Sequence, residues 1–81
     1  MKVTVKGSFD RDIDKLSSRE LRLTLDAKIT QIEKARDASH ITGLKLLDGY
    51  THHYRILVKT GKLTYRIGAI IRGENIWLYQ C

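Results

Sequence analysis

Arginine occurs twice in the same local setting, Tyr54-Arg55-Ile56 and Tyr65-Arg66-Ile67, within the stretch YTHHYRILVKTGKLTYRIG from Tyr50 to Gly68. Neighbouring side chains on a β-strand point to opposite faces. Tyr54, Ile56 and Val58 can then line a core while Arg55 projects outward, and Tyr65 and Ile67 do the same around Arg66. Two adjacent strands of this kind present two guanidinium groups on one open sheet face, which makes an anion-binding surface. Guanidinium is planar, permanently charged and forked, so it suits phosphate oxygens. Where phosphoryl charge grows in a transition state, one such preorganised group is worth roughly 10²–10³ in rate. The plain alternative is that exposed strand positions take long polar residues for solubility.

Other candidates surround this pair. His53 shares parity with Arg55, as an RNA contact, a proton-transfer group or an ordinary surface histidine. Lys59 and Lys62 flank a turn, where lysine also protects a sheet edge; as functional groups they fit general phosphate contacts, and so does Arg72 in the next turn. His52 and His53 are adjacent on a strand and point apart, so they do not share an ion easily, and His40 and Cys81 do not change that. No metal or cofactor is expected. Trp77 and Tyr79 share a strand face; the expectation is that they face the helices as core, and base stacking becomes their role only if that face is open. No His/Asp arrangement marks Cys81 as a nucleophile.

Eighty-one residues, 42% hydrophobic and 30% charged, fit one small globular domain rather than a disordered chain. No apolar run approaches the about 18 residues that span a bilayer, and no signal-peptide pattern opens the sequence. A single cysteine fits a reducing cytoplasm. The formal net charge is +6, which favours polyanionic partners. From Lys45 onward six cations face only Asp48 and Glu74, so the basic half is also the strand-rich half.

The elements that must position these residues are legible. Met1–Val5 alternates as a first strand ended by Gly7. Ser8 reads as an N-cap for a short helix to about Lys15, with Phe9, Ile13 and Leu16 at helical spacing. Ser17-Ser18-Arg19-Glu20 reads as a capping box, with Ser17 as cap, Glu20 at the third helical position and Leu16 with Leu21 as a staple. The second helix is expected from Ser18 to roughly Asp37, with Leu21, Leu25, Ile29, Ile32 and Ala35 as its packed stripe. Leu44–Leu47 is a brief strand or extended loop. Strands follow at about His52–Lys59, Leu63–Ile71 and Asn75–Gln80, joined at Thr60-Gly61 and Gly73-Glu74. The fold class is α+β: strand, helix, helix, then three or four strands, with both helices on one face of a mainly antiparallel sheet.

With these residues in place, the chain resembles the RelE/ParE superfamily of toxins from bacterial toxin–antitoxin pairs, and most closely its RelE-like branch. The similarity lies in VKGSFDRDIDKL, the long helix, LLDGYTHHYRI and TYRIG, in that order over nearly the whole chain. It implies a single toxin domain over residues 1–81 that enters the ribosomal A site and cuts the bound message, the 2′-hydroxyl attacking the adjacent phosphate. By resemblance Arg66 matches the strand arginine that stabilises that phosphate. Arg55 matches the basic position of the first Tyr-Arg-Ile strand, and Lys45 is a looser backbone contact. Implied partners are a cognate antitoxin, the ribosome and mRNA, with no membrane. Lys59–Leu63 reads as a longer connection than the family's tight turn, and the family's C-terminal catalytic arginine and tyrosine segment has no counterpart before Cys81. Two other readings stay open: a ParE-like inhibitor of DNA gyrase, or a relative with weakened chemistry that only binds its antitoxin.

Overall fold

The computed structural model of the chain describes residues 1–15 and 18–81. Its longest ladder is the antiparallel pair β3 (His53–Thr60) and β4 (Leu63–Arg72), where Ile56 opposes Ile67 and both are buried. The strands run on to a Thr60–Leu63 pair, so their connection is only Gly61-Lys62. This corrects the expected longer connection: polar Lys59 and Thr60 continue the ladder. Gly61 has φ 56°, and among the described residues no non-glycine residue, Lys62 included, has positive φ, which is the II′ hairpin pattern whose twist matches the strands. β5 (Asn75–Gln80) returns beside β4 through Gly73-Glu74.

Two further strands complete the sheet. β1 (Lys2–Val5) adds to β5 in parallel, and β2 (Leu44–Leu46) adds to β3 antiparallel. The order is β1-β5-β4-β3-β2, five strands and mostly antiparallel. Together with two helices this is the expected α+β order of strand, helix, helix and four strands.

Helices α1 (Gly7–Asp14) and α2 (Arg19–Lys34) supply the cover. Leu21, Leu25 and Ile32 recur on one face of α2 and are fully buried with Phe9 of α1 against Ile56, Ile67, Ile76 and Leu78. The N-cap of α2 is Ser18, whose hydroxyl accepts from Leu21 N at 3.2 Å. Glu20 therefore sits second in the helix rather than third; the expected cap Ser17 and staple residue Leu16 lie outside the described residues. Ser8 does not cap α1 either. Its Oγ donates to the Tyr79 carbonyl at 2.5 Å and ties α1 to β5. α2 ends at Lys34, short of Asp37, which instead accepts from Ser39 N at 3.0 Å to open a single 3-10 turn, Ala38–His40. The Met1 ammonium donates to the Glu33 and Ala35 carbonyls at 3.0 and 2.6 Å, where positive charge complements the helix C-terminus. Among the described residues no helix is long and apolar enough to cross a membrane.

Candidate functional site

The five strands contain Lys2, Lys45, Arg55, Lys59, Arg66 and Arg72, and not one Asp or Glu. Strand alternation decides where these cations go. Val3, Val5, Leu44, Ile56, Val58, Ile67, Ala69 and Ile71 belong to or pack on the core, so the residues between them face away from it. All six strand cations fall on that open face. The acids lie elsewhere: six on the helices, and Asp37, Asp48 and Glu74 in connections. The molecule is two-sided in charge.

Within this face the register assembles a cluster. Lys45 lies directly opposite Arg55 on the β2–β3 ladder. Arg55 opposes Gly68 and Leu57 opposes Arg66, so the two arginines are diagonal neighbours, roughly 7–8 Å apart at the backbone. Lys59 opposes Thr64 and is diagonal to Arg66 on its other side. Lys62 lies at the hairpin tip beyond. His53 is the next open-face residue of β3 after Arg55. Arg72 does not join the cluster; it lies six residues along β4 from Arg66, roughly 20 Å away.

Arg55 and Arg66 line one groove of about 420 Å³ with Thr64, Gly68, Tyr79 and Gln80. Arg55 is half-buried, and its Nε is buried with no hydrogen-bond partner. An unpaired buried donor is costly, and more so on a charged group. Among the described residues the one ion pair is Asp37–His40, on the 3-10 turn. Neither arginine of the groove is neutralised by a carboxylate there.

Tyr79 and Trp77 correct the expectation that they face the helices. Ile76 and Leu78 take the core side opposite Ile71 and Ala69, which sends Trp77 to the open face. The β4–β5 register then slips: Ala69 pairs with Leu78 but Gly68 pairs with Gln80, so Tyr79 is the extra residue of a β-bulge. Gly68 makes room for it. A Cβ there would meet Tyr79 Cζ at 2.8 Å and Cε2 at 3.0 Å, so the tyrosine ring lies directly on the glycine. His53 stands 6.2 Å from that ring, edge to face, and Tyr50 lies 4.7 Å beyond His53. The groove thus has two guanidiniums on its floor and a tyrosine with two further rings along one side. Parity named Tyr79 with Trp77 as base-stacking residues only for an open face, and nothing pointed to Gln80; the hint of a bulge was Gly68, since glycine inside a strand marks a bulge or a close approach.

The remaining candidates separate from this site. Cys81 returns to the core side, its backbone N–H donating to Asp12 at 3.1 Å. Burial and the Asp12 carboxylate push its thiol pKa up, the opposite of what a nucleophile needs. His52 bonds through Nδ1 to the Ile71 carbonyl at 3.1 Å, away from the His53 ring stack. Among the described residues no three His, Cys, Asp or Glu side chains gather as metal ligands. A larger hollow, about 640 Å³, lies between α2 and the free edge of β3. It contains neither arginine; Lys28 at its rim donates to the Thr42 carbonyl, and burial lowers that lysine's pKa. No protein-family model, curated protein or solved structure matches the chain.

Proposed function

We propose that the chain is a RelE-like toxin of a toxin–antitoxin pair, a cytoplasmic, ribosome-dependent mRNA endonuclease that holds the message on its open sheet face. The observation that carries this reading is the groove in which Arg55 and Arg66, from adjacent strands of an acid-free face, lie side by side. In the reaction the ribose 2′-oxygen bonds to the neighbouring phosphorus and the P–O5′ bond breaks, leaving a cyclic phosphate and a 5′-hydroxyl. Negative charge builds on the non-bridging oxygens, and two guanidiniums beside them favour the transition state over the ground state. The attacking hydroxyl loses a proton and the leaving oxygen gains one; His53, two residues from Arg55 on the same face, is our candidate for that transfer. Tyr79, lying against Gly68, offers a ring to a base beside the scissile phosphate. Lys45 and Lys59 extend the positive track for the backbone, with Lys62 and Arg72 as outlying phosphate contacts. An acidic segment of a cognate antitoxin would complement the same face.

The test is cleavage of a ribosome-bound message in a purified translation system. Wild-type protein should cut in the A site, and Arg66→Ala should lower the rate roughly 10²–10³-fold while the fold is retained. Uncut message from a folded chain, or equal cutting by the variant, sinks the reading. DNA-damage signalling without translation arrest on induction would move the target to gyrase.

A further inference from the structure

The open face carries a second constellation at the end away from Arg66. Trp77 and Ile70, with Lys6 and Arg72 beside them, line a hollow of about 230 Å³. Ile70 and Trp77 oppose each other on the β4–β5 ladder, Thr4 flanks Trp77 on β1, and His53 flanks Ile70 on β3. One row across the sheet therefore reads His53, Ile70, Trp77, Thr4. Lys2 and Arg72 both oppose Asn75 in the row beyond, so cations border the apolar row. Both helices pack on the opposite face. Trp77 and Ile70 are each partly exposed on this face, and cations stand beside them around the hollow.

We propose that this hollow is a stacking site for a base of single-stranded nucleic acid, so that one strand runs from the Arg55–Arg66 groove past Tyr79 to Trp77. Trp77 and Tyr79 are successive open-face residues of β5, roughly 7 Å apart along the strand. Sheets that bind single strands use this device: aromatics at neighbouring face positions stack two or three bases while cations follow the phosphates. Charge selects the occupant, because Lys6 and Arg72 line the hollow, Lys2 lies in the next row of the sheet, and no strand carries an acid. A duplex fits worse, since its bases are already stacked on each other. Binding at Trp77 requires neither the ribosome nor cleavage, so it stands or falls apart from the endonuclease reading.

Trp77 is the only tryptophan, and its fluorescence reports on this hollow alone. Free protein is titrated with a dye-labelled 2′-O-methyl oligouridylate, which lacks the attacking hydroxyl and stays intact. Saturable quenching of Trp77 is expected to track the dye anisotropy. Trp77→Ala should weaken binding about ten-fold or more, and Trp77→Phe should stay within a few-fold of wild type. Circular dichroism establishes that each variant is folded; if Trp77→Ala is not, the wild-type quenching and the Phe variant decide. Binding that leaves Trp77 emission unchanged overturns the proposal, as does no binding, or equal quenching by duplex RNA or polyglutamate. Failure of the ribosomal assay would leave these outcomes unaffected.

Discussion

Gly68 sets the geometry of the groove at the scale of one residue. It stands opposite Arg55 and beneath the Tyr79 ring, and any side chain there would enter space the ring occupies. The atoms in the way are the far end of a tyrosine, so the ring rather than the backbone has to give. Gly68→Ala should therefore leave the fold intact while displacing Tyr79 from the arginines. The two positions should also be coupled thermodynamically. With Tyr79 present, Gly68→Ala is expected to destabilise. In a Tyr79→Ala background the same change should be neutral or stabilising by up to about 1 kcal/mol, because alanine restricts the unfolded chain. A double-mutant cycle from urea denaturation should return a coupling of about 0.5 kcal/mol or more. Additive effects would mean that the ring does not rest on the glycine in solution.

At the scale of elements, the site depends on β2 being held against β3, because Lys45 reaches the cluster only through that ladder. Gly43 makes the junction. It has φ 81°, its carbonyl accepts from Leu57 N at 3.1 Å, and a Cβ would lie 2.9 Å from the Leu57 carbonyl oxygen. Here the obstacle is backbone, which does not yield as a tyrosine ring does. Gly49 has nearly the same φ, 82°, but open space around it. Gly49→Ala should show only the left-handed conformational cost of about 1–2 kcal/mol, and Gly43→Ala should lower the urea midpoint further. Equal midpoints would mean that β2 is not locked to β3 at this point. The sequence made part of this architecture readable. In β3 and β4 the segments Tyr54-Arg55-Ile56 and Tyr65-Arg66-Ile67 alternate apolar with charged residues, so their faces follow from parity. β5 does not: in Asn75–Gln80, Ile76 and Leu78 are as apolar as Trp77 and Tyr79, and hydrophobicity selects neither face. The choice comes from the partners Ile71 and Ala69 on β4, which local pattern does not contain. The bulge at Tyr79 and the parallel docking of β1 are tertiary in the same sense. Ser17 and Ser18 both satisfy the chemistry of a cap, so composition alone left the α2 start uncertain by one residue.

At the scale of the whole molecule, the net charge says less than its distribution. The formal +6 predicts attraction to any polyanion, but the acids are confined to the helices and connections while every strand cation faces the open side of the sheet. A nucleic-acid strand on that side releases counterions from its phosphates as lysines and arginines replace them, with the logarithm of affinity falling by about 0.7 per contact for each logarithmic step in salt. Lys45→Gln and Lys34→Gln each remove one charge, the first from the open face opposite Arg55, the second from the last turn of α2. If overall charge drives association, the two variants will bind the 2′-O-methyl oligouridylate alike. If the sided face does, Lys45→Gln will reduce the salt slope by about 0.7 and weaken binding, whereas Lys34→Gln will retain the wild-type slope. The comparison holds composition and net charge constant and varies only position, so a difference between the variants belongs to the sheet face itself.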